Sequence, residues 1–293
     1  MTTFKGAGTA LVTPFKTDGA LDEDALAKLV DWQIGEGINF LVPCGTTGEN
    51  PALSFDEHRR VVEITVRTAN GRVPVLAGAG GNNTPHAVAL AELAVDTGAD
   101  GILTVTPYYN KPTPDGLRRH FGAQAEALEK KKSRFPMVLY NVPGRTGLNM
   151  TADTTLRMAR EIPNVVAVKE ASANMEQILT ILRDRPRGFL VLSGDDAWTL
   201  PILGCGADGL VSVASNEVPK LIAQMVATKS REIHERLLPL LLGNFIESNP
   251  GPVKAAMKMM GILQSDTLRP PLAPMSDASR AKLETILREC HLL

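Results

Sequence analysis

Eight short apolar runs recur along this chain at intervals of about 20–35 residues, the scale of a strand, a helix and two loops. They cover residues 9–15, 40–45, 73–78, 101–107, 137–142, 165–170, 189–194 and 209–213. Helix-start signals fall between them. Asp22, Glu23 and Asp24 place acidic side chains at the positive end of a first helix, and Ser54-Phe55-Asp56-Glu57 is a capping box for a second. Thr84 before Pro85 is a cap candidate for a third, and Thr151-Ala152-Asp153 opens another. Eight strand–helix units predict an α/β fold, a (β/α)8 TIM barrel over residues 1–230.

A doubly wound open sheet fits less well, because its dinucleotide signature is missing. Gly6-Ala7-Gly8-Thr9 precedes a strand instead of following one, and Gly78-Ala79-Gly80-Gly81-Asn82 lacks the acidic residue that would clamp a ribose. Both read as tight turns. Beyond about residue 228 the strands stop. Residues 231–246, 253–261 and 277–291 have helical patterning, which predicts a C-terminal helical extension over residues 231–293. Pro239, inside the apolar run Leu237–Leu242, is expected to bend or break its helix.

Bulk properties exclude several classes. The chain has 293 residues, 44% of them hydrophobic, enough for one large core. A net charge of −1 argues against nucleic acid or an anionic membrane as partner. No apolar stretch reaches the roughly 18 residues that would span a bilayer, and the start Met1–Gly6 shows no signal-peptide apolar region. Cys44, Cys205 and Cys290 have no metal spacing and read as free thiols, so a cytoplasmic setting is expected.

Barrel enzymes carry their chemistry on the loops after the C-terminal strand ends. In this chain those loops hold Gly45-Thr46-Thr47-Gly48-Glu49, Tyr108-Tyr109-Asn110, Tyr140-Asn141-Val142-Pro143-Gly144-Arg145, Lys169 and Ser193-Gly194-Asp195-Asp196. Lys169 directly follows Val165-Val166-Ala167-Val168, a run that spells a buried strand. Burying an ammonium disfavours its charged form, and a neutral amine attacks carbonyls, so Lys169 is a candidate Schiff-base residue. By itself, a lysine at a strand end more often snorkels to solvent or pairs with a carboxylate. Hydroxyls on the neighbouring loops tilt the balance, because imine formation needs proton relays and Tyr and Thr both donate and accept.

The five histidines lie on helix-like segments, and no clustered His/Asp ligand set exists, so no metal or other cofactor is expected. Asp195-Asp196 reads as turn or cap hydrogen bonding. No glycine-rich phosphate cradle follows the last two strands, and Thr, Arg and backbone amides suit a carboxylate substrate better.

With these loops in order, the chain resembles the class I pyruvate aldolase family of dihydrodipicolinate synthase and N-acetylneuraminate lyase, over nearly its full length. The resemblance also rests on Ala10-Leu11-Val12-Thr13-Pro14-Phe15, Asn249-Pro250-Gly251-Pro252-Val253-Lys254 and Asp266-Thr267-Leu268-Arg269. It implies condensation of pyruvate with aspartate 4-semialdehyde, in lysine and diaminopimelate biosynthesis. It implies that Lys169 forms the Schiff base and that Tyr140, Thr46 and a Tyr109 from a neighbouring subunit relay protons. Thr47 would hold the pyruvate carboxylate, Arg145 the semialdehyde carboxylate, and Gly194 and Val211 would supply backbone near the lysine. A homotetramer, as a dimer of dimers, is implied as well. Gly144-Arg145-Thr146-Gly147 is typical of the synthase branch. An aldolase cleaving a sugar-derived 2-keto acid and a non-catalytic keto-acid-binding barrel stay open as alternatives.

The lysine pocket of feedback-regulated relatives uses Ser, Ala, His, His, Asn, Glu and Tyr. The matching positions are Asn50, Pro51, Phe55, His58, Asn82, His86 and Tyr108. His86 cannot supply a fixed negative charge for an effector's ammonium. Weak or absent inhibition by lysine is expected.

Overall fold

The computed structural model describes residues 4–293; part of the reading of the chain start, at residues 1–3, falls outside them. Eight parallel strands run in the order β2-β1-β8-β7-β6-β5-β4-β3. They are β1 (Gly6–Ala10), β2 (Phe40–Val42), β3 (Leu76–Gly78), β4 (Gly101–Val105), β5 (Met137–Asn141), β6 (Val165–Glu170), β7 (Leu190–Ser193) and β8 (Gly209–Ser212). A parallel bridge between Leu41 and Val75 joins the two ends of this order and closes the barrel. The expected (β/α)8 barrel is therefore the observed one.

Helices alternate with the strands and cover the barrel. They are α1 (Glu23–Gly35), α2 (Phe55–Ala69), α3 (Thr84–Asp96), α4 (Pro114–Lys131), the single turn α5 (Pro143–Thr146), α6 (Ala152–Glu161), α7 (Met175–Asp184), α8 (Thr199–Gly204) and α9 (Pro219–Thr228). Three more follow without a strand: α10 (Arg231–Gly243), α11 (Gly251–Met259) and α12 (Asp277–Glu289). Among the described residues no helix is long and apolar enough to cross a membrane.

Strand alternation sorts the apolar side chains into two sets. Inward residues, among them Phe4, Phe40, Leu76, Leu103, Val138, Tyr140, Ala167, Leu192 and Val211, fill the barrel. Outward residues form a larger layer beneath the helices, and Leu237, Leu240 and Leu241 of α10 and Leu283 and Leu287 of α12 join it. The C-terminal helices thus share the main core of the chain.

Four sequence expectations need correction. The first strand is Gly6–Ala10, not residues 9–15. Gly8 lies inside it because the Phe40 ring fills the barrel there: a Cβ on Gly8 would stand 2.2 Å from the ring. Residues 11–15 are buried loop, held by Leu11 N–H to Val42 O (3.1 Å) and Val12 N–H to Asn216 Oδ1 (3.1 Å). Gly78 closes β3 instead of opening a turn, since a Cβ on it would meet Cys44 O at 2.0 Å. Asn83 caps α3, accepting from His86 N–H, while the Thr84 hydroxyl is engaged with His120 Nδ1 (2.9 Å). Of the two outcomes expected at Pro239, the break does not occur, since helix α10 runs through it. The carbonyl deprived of its donor belongs to Glu235, an exposed residue where water can take the bond.

Candidate active site

Cross-strand register creates the site. Tyr140 of β5 pairs with Lys169 of β6, so both side chains enter the barrel side by side. Lys169 Nζ lies 4.1 Å from the centroid of the Tyr140 ring. Lys169 is 6% exposed and Tyr140 also 6%. Among the described residues no carboxylate comes within ion-pair distance of Lys169. The snorkelling and salt-bridge readings of this lysine are therefore not what the fold builds.

Glu170, next in sequence, points the opposite way. Its carboxylate accepts from Asn141 Nδ2 at both oxygens (3.1 Å each), from Gln177 Nε2 (3.0 Å) and from Ser172 N–H (2.8 Å). Asn141 follows Tyr140 as Glu170 follows Lys169, and the two strand ends are tied outside the barrel just beyond the pair inside it.

A cavity of about 220 Å³ opens at the C-terminal strand ends. Thr46, Tyr108, Tyr140, Val142, Arg145 and Thr146 line it, with Cys44, Gly45, Asn50 and Pro51. Burial pushes the Cys44 thiol up, so this cysteine stays a protonated wall residue. Lys169 is not on this wall; it stands against Tyr140, which is. Gly194 backs the lysine, and a Cβ on it would lie 2.9 Å from Lys169 Cε. Val211 is part of the barrel filling.

Thr47 is buried beside the cavity, and its Oγ1 accepts from Asn249 Nδ2 (3.0 Å). The loop that carries it is fixed at Glu49, in the left-handed region at φ 54°. The Glu49 carboxylate accepts from Lys254 Nζ of α11 (2.7 Å) and from Arg269 N–H (3.0 Å). Lys254 and Glu49 side chains are both fully buried. Arg145 donates to the backbone oxygen of Asn249 (3.4 Å). Sequence reasoning missed Asn249, Glu170 and Lys254 as site-shaping residues. Asn249 and Lys254 sit in the motif Asn-Pro-Gly-Pro-Val-Lys, the one signal that pointed at them.

Tyr109 is not brought to Tyr140 within the chain. It is 89% exposed, and its backbone adopts φ 71°, rare for an aromatic residue. Asp195 has the expected turn role, whereas Asp196 is buried and ties the loop after β7 to the end of β8, a correction to its reading as a turn residue. Asp195 accepts from Ala197 N–H (3.0 Å), and Asp196 from the Ser212 hydroxyl and from Val213 N–H (2.8 Å). Among the described residues no group of His, Cys, Asp and Glu could hold a metal ion.

All seven residues matched to an effector pocket line a second cavity of about 180 Å³. Asn50, Pro51, Gly80 and Tyr108 form the wall it shares with the first. The Phe55 and His86 rings meet edge to face at 6.5 Å. His58 Nδ1 contacts Asn50 Oδ1 (2.9 Å), and burial pushes the His58 imidazole down to about 4.

A family model described as the dihydrodipicolinate synthetase family matches residues 3–290. The chain belongs to that family. A 4-hydroxy-tetrahydrodipicolinate synthase of Koribacter versatilis is 53% identical over 297 residues, covering 99% of this chain and 97% of the relative. The crystal structure of dihydrodipicolinate synthase from Aquifex aeolicus superposes with a TM-score of 0.94 at 42% identity, covering 99% of each chain. That of the Cyanidioschyzon merolae enzyme with lysine bound gives 0.94 at 37% identity, again covering 99% of each. This dihydrodipicolinate synthetase family member therefore matches its relatives through the C-terminal helices as well as the barrel.

Proposed function

We propose that this chain is a lyase that condenses pyruvate with aspartate 4-semialdehyde, through a Schiff base on Lys169, to give 4-hydroxy-tetrahydrodipicolinate. The observation that carries the reading is the inward, register-matched pair of Tyr140 and Lys169, with an amine that no carboxylate neutralises among the described residues. The Lys169 amine adds to the pyruvate keto carbon. Loss of water leaves the imine, and Tyr140 passes the protons that this addition and loss require. Proton loss from the pyruvate methyl gives the enamine, whose carbon attacks the semialdehyde aldehyde. The semialdehyde amine then displaces Lys169 as the ring closes.

Thr46 stands on the same cavity wall as Tyr140 and extends the relay. Thr47 holds the pyruvate carboxylate. Arg145, at the cavity wall and exposed on its outer side, holds the semialdehyde carboxylate. Gly194, which packs beside the lysine, and Val211 supply backbone near it. The exposed, left-handed Tyr109 suits insertion into a second copy of the chain, so a homo-oligomer, as a tetramer of two dimers, completes the relay. A cytoplasmic location accords with the free thiols. The second cavity, lacking an acid where an ammonium would bind, responds weakly or not at all to lysine.

The direct test is a steady-state assay of pyruvate-dependent semialdehyde consumption with product analysis. Formation of the cyclic product is expected; turnover of sugar-derived 2-keto acids in its place would refute the assignment.

A further inference from the structure

Asn249 lies between α10 and α11, far in sequence from the barrel loops it touches. It is 4% exposed. Its side-chain Nδ2 donates to Thr47 Oγ1 (3.0 Å), and its backbone oxygen accepts from the Arg145 guanidinium (3.4 Å). One residue of the C-terminal segment thus holds both side chains to which the proposed function assigns a substrate carboxylate.

We propose that Asn249 is a positioning residue that orients the Thr47 hydroxyl for the pyruvate carboxylate and braces Arg145 for the second substrate. The inference rests on the reading of Thr47 as a pyruvate ligand. A threonine hydroxyl has one proton and two lone pairs. With a lone pair occupied by the Asn249 amide, its proton is left to donate outward, and a carboxylate is the acceptor it would meet. Without that amide the hydroxyl can turn and spend its proton on a nearby backbone oxygen. The buried Lys254–Glu49 pair anchors the same loop two residues on, so the loop backbone stays in place while the hydroxyl's orientation depends on Asn249.

The two halves of the role separate by mutation. Asn249→Ala removes the amide and keeps the backbone oxygen. The KM for pyruvate should rise about 5- to 10-fold, the worth of one neutral hydrogen bond, with kcat and the KM for semialdehyde changed by less than about twofold. Asn249→Asp keeps the shape but offers no donor, so it should take the Thr47 proton and raise the pyruvate KM at least as far. This near-isosteric variant carries the test if the alanine variant does not fold. A pyruvate KM unchanged in Asn249→Ala, or restored to the parent value in Asn249→Asp, would overturn the role. Thr47→Val separates the two levels. If it weakens pyruvate binding while the Asn249 variants do not, the positioning role fails alone. If it leaves pyruvate binding unchanged, the assignment of Thr47 fails and the inference goes with it.

Discussion

Gly194 leaves space that the Lys169 side chain occupies: a Cβ on Gly194 would lie 2.9 Å from Lys169 Cε, 3.1 Å from its Cγ and 2.8 Å from Ala171 Cβ. The lysine tip could swing aside, but Ala171 has no flexible end to yield. Gly194→Ala should therefore shift the amine, cut imine formation by about 100-fold and cost about 1–3 kcal/mol of stability. Rapid borohydride trapping and urea unfolding measure the two effects. An alanine variant that forms imine at the parent rate would show that this contact does not position the amine.

Arg145 reaches the cavity from the turn α5 and contacts no carboxylate among the described residues. Replacing it by alanine should raise the KM for aspartate semialdehyde by about 10- to 100-fold, the loss of a charge-assisted hydrogen bond, and leave imine formation with pyruvate nearly intact. Equal losses in both steps would remove its role in choosing the second substrate.

Lys254 and Glu49 form a fully buried ion pair, and Lys254 Nζ also donates to Thr267 O (2.7 Å). Deleting one partner strands the other charge in the interior. Lys254→Met should destabilise the fold by about 3–5 kcal/mol, read as a lower urea midpoint. Activity should fall with it, because Glu49 is two residues from Thr47. A midpoint within experimental error of the parent would show that the pair is not a structural anchor.

Acid should weaken the fold well above the carboxylate range. Burial pushes the imidazoles of His58 and His120 down to about 4, against an ordinary value of about 6.5. Between those values the unfolded chain binds more protons than the folded one, so stability falls as pH drops from about 6.5 to 4, by up to about 3 kcal/mol per histidine. His120→Gln should flatten part of this slope in urea titrations at several pH values. Glu57 acts in a lower window. The Arg269 guanidinium holds its carboxyl at about 2, so its contribution is present above about pH 4.5 and is lost as pH falls toward 2.

The second cavity is lined by His86 and Phe55 and, among its lining residues, by no acid. Millimolar lysine should inhibit the steady-state rate weakly or not at all, and His86→Glu should increase sensitivity by supplying an anion for the effector ammonium. Inhibition of the parent chain by micromolar lysine would contradict this.

The barrel is legible because continuous apolar runs and helix caps mark strands and helices locally, and β6 has the bounds the sequence predicts, Val165–Glu170. The first strand differs from the sequence reading because residues 11–15 are as apolar as a strand yet lie beyond its end, held by Val42 O and the Asn216 side chain. The two glycines of β1 look like a turn until Phe40 is known to fill the barrel against Gly8. The places of Lys169, Tyr140, Thr46 and Arg145 on the loops at the C-terminal strand ends are legible in the sequence, while the roles proposed for them come from the family resemblance. The place of Asn249 is not, since its bond to Thr47 spans 202 residues of sequence, and only folding brings the C-terminal segment across the barrel mouth.

The most direct measurement is mass spectrometry after borohydride reduction, with and without pyruvate, on the parent chain and on Lys169→Ala. A pyruvate-dependent adduct on Lys169, absent from a folded Lys169→Ala variant, is the expected result. No adduct on Lys169 in folded parent protein would contradict the Schiff-base mechanism and leave a barrel that binds keto acids without transforming them.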